Sequence, residues 1–284
     1  MGIEFKSAKR IRDLTDEVNT ITGKDDKTLS QAVHTLEDGY GKYDAGVEDG
    51  KREQYDAFWD IYQDFGKRDK YEGAFYGLGW TEENFKPKYD IILGNGYTGT
   101  DMFANTRNMY KLKSLLDGLG VKLDTSKCWF MSGLFRNSKI EDVPVIDASG
   151  AVNSGGTANL FIASEVKSIE KLIFSENTSI SSNMFSTAYY LENVIFDGVM
   201  SKMNDGGLNM KDCVNINKPS IISLINTLST STTNFSITLS KIAVDKAFET
   251  SQDAANGSTS EEWLTLVGSK PNWSISLSTY VPTY

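Results

Sequence analysis

The side chains best suited to nucleophilic or acid–base chemistry are few and far apart in this sequence. His34 is the only histidine, and the two cysteines, Cys128 and Cys213, lie far from it and from each other along the chain. A Ser–His–Asp or Cys–His mechanism would have to run through His34. The cysteines also lack the close spacing of metal ligands. We expect two buried thiols, with a single disulfide between them as the alternative.

Carboxylate pairs are the remaining catalytic option. The adjacent Glu82 and Glu83, together with Asp205 and Asp212, are candidates for the acid and base of glycoside cleavage. However, the chain carries 38 acidic residues, and so many carboxylates produce such pairs by chance. We therefore predict no catalytic and no metal-binding residue, and a carbohydrate hydrolase is the least favoured of the functions considered.

A glycine-rich loop at residues 94–99 spells G-x-G-x-x-G after a candidate strand at residues 89–93. In dinucleotide-binding proteins this motif opens a long helix whose N-terminus faces the phosphates. Here residues 100–103 open a repeat instead, so we predict a loop at the entry to the repeats and no cofactor. The Asp-rich loops lack the spacing of an EF-hand.

Charge and hydropathy exclude several classes of partner. The chain has a formal net charge of −9, which argues against a nucleic-acid-binding face because phosphate contact requires clustered Lys and Arg. No window approaches eighteen consecutive apolar residues, so we expect no membrane insertion. Residues 1–6 lack the apolar run of a secretory signal, and we expect synthesis in the cytoplasm.

Repeated hydrophobic patterns indicate the organisation of the central region. Hydrophobe–Phe pairs end at Phe103, Phe135, Phe161 and Phe185, in steps of about 24 to 32 residues, the period of a short repeat unit. The last three pairs are each followed by an apolar hexapeptide, at residues 140–145, 169–174 and 191–196. Each hexapeptide has the pattern of a short strand with one buried face. We expect the Phe side chains of successive copies to stack in one row inside the protein.

Five regions are predicted along the chain. Residues 1–38 carry two narrow apolar stripes and form a helical, coiled-coil-like arm for oligomerisation or docking, or alternatively fold back on the body of the chain. Residues 39–50 form a Gly- and Asp-rich linker. Residues 51–100 form an aromatic-rich N-terminal cap, residues 101–205 hold the repeats, and residues 206–284 form a C-terminal cap.

Several shorter elements are also predicted. We expect helices from about residue 107 to 119, from near Pro219, from 242 to 248 and from 261 to 267. Residues 235–239 alternate as an edge strand, and residues 273–277 form the last strand. No binding residue is predicted, since Tyr189 and Tyr190, between a repeat Phe and its strand, are expected to pack rather than to contact a ligand.

Residues 185–196 (Phe-Ser-Thr-Ala-Tyr-Tyr-Leu-Glu-Asn-Val-Ile-Phe) resemble one repeat of the BspA-like leucine-rich family. In that family a Phe is followed by a small residue and then by a Leu that opens a short strand. Ser138, Ser164 and Ala188 occupy the small-residue position. The resemblance implies an α+β fold: a short, irregular leucine-rich-repeat solenoid with a helical N-terminal arm and α/β caps at both ends.

From about residue 50 to 278, the order of motifs is similar to that of leucine-rich proteins encoded in phage and prophage tail modules of gut bacteria. The motifs lie at residues 53–60, 75–80, 85–91, 220–228, 262–264 and 270–273. The resemblance implies a non-enzymatic structural and binding protein with a baseplate, fibre or receptor-binding role. It would be located in the virion tail. The alternative is a BspA-like adhesin, extracellular or at the cell surface.

The partners implied by this resemblance are other tail or baseplate subunits, contacted through the N-terminal helices, and a surface protein or glycan of the host. A homo-oligomer is expected, with a trimer favoured because tail fibres and baseplates are symmetric. Each contact would be weak, and repetition on the particle would make it effective.

Overall fold

The computed structural model of the chain describes Phe75 and residues 80–94, 99–204, 206–230, 235–249 and 260–282. All of these residues except Glu83–Lys86 belong to one compact unit of the chain. The predicted arm at residues 1–38, the linker at 39–50 and most of the cap at 51–100 lie outside the described residues. The fold below is therefore that of the central and C-terminal regions.

Nine strands and four helices are found in the described part of the chain. In chain order they are β1 (Ile91–Ile92), α1 (Leu112–Leu119), β2 (Leu123–Asp124), β3 (Asp142–Val143), β4 (Ile146–Asp147), β5 (Ser168–Phe174), β6 (Asn193–Gly198), β7 (Gly207–Met210), α2 (Lys218–Thr227), β8 (Phe235–Ser240), α3 (Lys241–Phe248), α4 (Glu261–Gly268) and β9 (Trp273–Ser278).

A column of five stacked phenylalanine rings forms the centre of the core. The rings belong to Phe75, Phe103, Phe135, Phe161 and Phe185, and all five side chains are fully buried. Neighbouring ring centroids are 5.1 to 5.5 Å apart, and the three pairs from Phe103 to Phe185 are parallel within 9°. The row of Phe135, Phe161 and Phe185 that the sequence predicts is thus confirmed.

The turns that carry these rings are joined by backbone hydrogen bonds. The amide of Phe103 donates to the carbonyl of Leu134, and the amide of Phe135 donates to that of Leu160, both at 2.9 Å. In each of the four turns from Phe103 to Phe185, the residue two places after the Phe has a positive φ of 53 to 57°, a left-handed conformation that Asn adopts most readily among non-glycine residues. These four residues are Asn105, Asn137, Ala163 and Thr187. The turns therefore stack with the same conformation and place their rings in register.

All strand pairings are parallel, but the strands form three separate sheets in the described residues. β1 pairs with β2; β5 pairs with β3, β4 and β6; and β7, β8 and β9 form the third sheet with β8 in its centre. Between β2 and β4, the hydroxyl of Thr125 takes the place of backbone pairing. It accepts from the amide of Asp147 at 2.8 Å and donates to the Asp147 carbonyl at 2.9 Å.

Hydrogen bonds between side chains and backbone amides join a helix to each edge of the four-stranded sheet. Beside β6, the hydroxyls of Ser220 and Ser223 in α2 accept from the amides of Val194 and Phe196, at 2.9 and 3.1 Å. Beside β3, the relation is reversed, because the carboxylate of Asp142 accepts from the first amides of α1 and caps that helix. A strand edge is thereby terminated by a helix at each side.

The predicted fold class, an α+β leucine-rich-repeat solenoid, is wrong. The described residues form three small parallel sheets of two, four and three strands with four helices, whereas a solenoid stacks its repeats in one continuous sheet. The sheets are separate because Thr125 and the serines of α2 replace strand pairing with side-chain hydrogen bonds. In the first copy, moreover, the strand is interrupted at Pro144, which has no amide to donate. β3 lies within the hexapeptide at residues 140–145, whereas β4 begins after it, at Ile146.

Other expectations are met in part. The predicted helices correspond to α1 to α4, although α1 begins five residues later than expected, at Leu112. The prediction that residues 235–239 form an edge strand is wrong, since β8 is the central strand of its sheet. The strand β7 was not predicted. In α2, the Asn217 side chain caps the helix and Pro219 lies in its first turn.

We predict that Phe135→Ala lowers the free energy of unfolding by about 3 to 5 kcal/mol, because it removes a fully buried ring with a parallel neighbour on each side. Equilibrium denaturation of the full chain measures this loss. Leu264→Ala is the control, since that side chain is 55% exposed, and it is expected to change stability by less than about 0.5 kcal/mol. Equal unfolding midpoints for the two variants would contradict the column as the centre of the core.

We predict that Gly198→Ala destabilises the protein more than Gly155→Ala. Both glycines have a φ of +80°, so both substitutions carry a backbone cost of about 1 to 3 kcal/mol. A Cβ at position 198 would also lie 1.9 Å from the carbonyl oxygen of Phe174, whereas one at position 155 meets nothing within 4 Å. Thermal unfolding of the two variants isolates this clash, and identical melting temperatures would refute the close approach of β5 and β6.

Candidate functional site

The carboxylates considered for glycoside cleavage have separate structural roles. A carboxylate oxygen of Glu82 accepts from the amides of Tyr110 and Lys111, at 3.3 and 3.0 Å, just before α1. Asp212 is buried and accepts from the amide of Thr187 at 2.9 Å. Asp205 lies outside the described residues. Glu82 and Asp212 thus each hold a turn of the backbone.

The cysteines and the glycine motif also have local roles. Cys128 and Cys213 are both buried thiols that form no disulfide, as the sequence predicts, and Cys128 donates to the carbonyl of Phe130 at 3.0 Å. A Cβ on Gly99, the last glycine of the motif, would approach the Cys128 sulfur to 2.9 Å. The rest of the motif at residues 95–98 and the single histidine, His34, lie outside the described residues.

An open cleft of about 460 Å³ lies beside the first strands. Four of its residues form a row across β1, β2, β4 and β5, which we call the cleft row: Ile92, Asp124, Asp147 and Ile173. The parallel register aligns Ile92 with Asp124 and Asp147 with Ile173. The Thr125 hydroxyl joins the two halves of the row through the backbone of Asp147.

Two of the cleft carboxylates are each fixed by a short turn of the same kind. Asp124 accepts from the amide of Ser126 at 3.0 Å, and Asp147 accepts from the amide of Ser149 at 2.9 Å. Each Asp ends a strand and forms an Asx-turn with the residue two places on. The signal in the sequence is the pattern Asp-x-Ser after an aliphatic residue, found at 123–126 and 146–149. It was not recognised as part of a site, although it repeats.

The opposite wall of the cleft comes from α1 and the chain that follows it. Leu116 and Val121 contribute apolar surface, and Asp117, on the exposed side of α1, contributes a carboxylate. Gly120 ends the helix in a left-handed conformation with a φ of 68°. The chain then returns through Lys122, whose amide donates to the carboxylate of Asp90 at 2.9 Å.

The charge of the cleft is predominantly negative. Its lining contains five carboxylates, from Asp90, Asp117, Asp124, Asp147 and Glu170, and one ammonium group, from Lys122. At one end, Lys113 forms ion pairs with Asp117 and with Glu170, the latter at 3.6 Å. The hydrogen bond with Asp117 is the main reason that the pKa of Lys113 is raised above its usual value.

The cleft thus places carboxylates beside an apolar surface, an arrangement that can accept a cationic or hydrogen-bond-donating group. In the described part of the chain, no group of three or more His, Cys, Asp or Glu side chains has the arrangement of a metal site. Nor does any helix among the described residues have the length and apolar character needed to cross a membrane. Tyr190 is 42% exposed, although its place between a repeat Phe and the following strand predicts that it packs against the protein.

We predict that both thiols are unreactive in the folded protein and that two thiols react after unfolding. Burial, and to a smaller extent the Asp212 carboxylate, raises the pKa of the Cys213 thiol far above its usual value. Raising the pH from 7 to 9 should therefore accelerate labelling of the denatured chain, whose thiols ionise near about pH 8.5, and leave the folded chain unlabelled.

The measurement is reaction with a chromogenic disulfide reagent, with and without guanidinium chloride. Thr279→Cys provides the positive control, because residue 279 is exposed and its thiol should react in the folded protein. Release of chromophore by the unsubstituted folded chain would show that Cys128 or Cys213 is accessible.

Comparison of this chain with protein-family models, with curated proteins and with solved structures finds no match. The relationship to BspA-like proteins of tail modules therefore remains an expectation based on the sequence motifs alone.

Proposed function

We propose that this chain is a non-enzymatic structural and binding protein of a phage or prophage tail, with a baseplate, fibre or receptor-binding role. The observation that carries the binding role is the cleft, whose carboxylates at Asp124 and Asp147 are fixed by main-chain turns. A site with its groups already in place loses little conformational entropy when it binds. The tail assignment comes from the ordered motifs between residues 50 and 278.

The stacked core supports this role. Successive turns are joined by their backbones, and the rings of Phe103, Phe135 and Phe161 lie between them in parallel. Deforming the body would require adjacent turns to separate, and the strands that line the cleft are themselves joined by parallel pairing. Rigid scaffolds with functional side chains at strand ends and loops are typical of binding proteins.

A BspA-like cell-surface adhesin is the alternative, and the same cleft would serve it. The two proposals differ in location and in the use of the N-terminal region. A tail protein would be found in purified particles and would reach them through residues 1–38, whereas an adhesin would be found on uninduced cells. A tail-associated carbohydrate hydrolase is less favoured, because Glu82 and Asp212 each support a separate turn.

We predict that Leu14→Asp combined with Val18→Asp removes the protein from tail particles without unfolding its body. The substitutions place two charges in the apolar stripe of residues 11–21 and should prevent its association. Light scattering of the wild-type chain is expected to give a trimer of the 31.5 kDa protomer, and the variant is expected to give a monomer. Mass spectrometry of particles purified after induction measures incorporation.

Leu264→Asp is the matched control, since it introduces a charge at an exposed leucine outside the proposed arm. It should leave both the trimer and the incorporation intact. Recovery of the wild-type chain from the surface of uninduced cells, with none in particles, would reject the tail role and favour the adhesin.

A further inference from the structure

We propose that the cleft binds an extended peptide segment in which a basic side chain stands between two aliphatic ones, each two positions away from it. This inference rests on the proposed binding role and names the chemistry of the partner. Three properties of the cleft support it: its apolar surface, its charge and the order of residues along the cleft row.

The apolar surface of the cleft is open to solvent where a ligand would lie. Ile92 is 36% exposed, and Val145 and Ile173 are half-buried. Pro144, Val121 and other apolar residues complete the lining, half of whose fourteen residues are apolar. Covering such a surface releases water and favours a partner with aliphatic side chains. A purely polar ligand would leave that surface wet.

The charge of the cleft selects a cationic partner. Asp90, Asp124 and Asp147 line the cleft, and none of them forms an ion pair with another of the described residues. Each of them accepts a hydrogen bond from a backbone amide. Carboxylates beside an apolar surface attract cations more strongly than fully solvated ones do, because the local dielectric is lower. Nucleic acids and acidic glycans have the wrong sign of charge.

The order of the cleft row fits an extended chain. Its four residues read aliphatic, acidic, acidic, aliphatic across four strands. With about 4.8 Å between neighbouring strands, the row spans about 14 Å, the length of about four residues in an extended peptide. Side chains at every second position of an extended peptide point the same way and lie about 7 Å apart, so one basic side chain can face the two Asp residues while the aliphatic side chains two places before and after it cover Ile92 and Ile173.

Fluorescence anisotropy with the full chain and labelled heptapeptides tests the proposal. We expect the peptide Ser-Val-Ser-Lys-Ser-Val-Ser, which we call the Lys–Val peptide, to bind, more weakly as salt is raised. The peptide with Glu in place of Lys should not bind, and the peptide with Ser in place of Val should bind at least about tenfold more weakly, because it leaves the apolar surface uncovered. Equal binding of the Lys–Ser and Lys–Val peptides would overturn the proposal.

The double variant Asp124→Asn, Asp147→Asn isolates the charge of the cleft row. The Asn side-chain oxygen can still accept from the Ser126 and Ser149 amides, so both turns and the fold should be preserved. We expect affinity for the Lys–Val peptide to fall several-fold, by up to about thirtyfold, because its ammonium group loses attraction to two carboxylates at about 0.2 to 1 kcal/mol each. An unchanged dissociation constant would overturn the proposal.

Asp197→Asn is the matched control. Asp197 is aligned with Ile173 on the neighbouring strand β6, but its carboxylate is paired with Lys171 at 3.1 Å and lies outside the cleft. Its substitution should leave peptide affinity within about twofold, and an equal loss in this control would show nonspecific charge attraction and overturn the proposal. Because these assays use the isolated chain, their failure is distinguishable from failure of the tail role, which particle composition tests separately.

Discussion

The stacking of one phenylalanine ring upon the next is the constraint on which the rest of this structure depends. Each ring can sit parallel to its neighbour at about 5.4 Å only if the turns carrying them have the same backbone conformation and are joined directly. The left-handed residues at Asn105 and Asn137 and the bonds between turns meet both conditions. No single turn could bury its own ring, so each is stable only beside another.

Side-chain oxygens, rather than further strands, complete the hydrogen bonding where the turns are not joined by a sheet. The hydroxyl of Thr125 does so between β2 and β4, and those of Ser220 and Ser223 do so beside β6. Backbone amides are satisfied in either case, which is what burial demands. The hydrogen bond of Thr125 also shapes the cleft, because it joins the strand that ends at Asp124 to Asp147 and so connects the two halves of the cleft row.

Hydrophobic spacing was enough to predict the Phe row, the strands β5 and β6 and the presence of all four described helices, since each depends on local periodicity. It could not predict that β8 is central, because strand order depends on contacts between segments far apart in sequence. It also could not show that the hydroxyl of Thr125 would replace strand pairing, since a threonine that pairs and one that packs look alike in sequence. The repeated Asp-x-Ser turns were visible in the sequence, but only the alignment of β2 and β4 brings Asp124 and Asp147 into one row.

The shallowness of the cleft fits a protein that acts in many copies. A single peptide of a few residues, held by exposed charges and a modest apolar surface, binds weakly because each exposed ion pair contributes only about 0.2 to 1 kcal/mol. In the proposed trimer, the second and third contacts would become intramolecular, and the combined affinity would rise by orders of magnitude without a deeper site. For that gain the clefts would have to keep a fixed geometry, and the strand pairing and Asx-turns at Asp124 and Asp147 provide it. Fixed carboxylates in a weak, open cleft are therefore compatible with the proposed multivalent role.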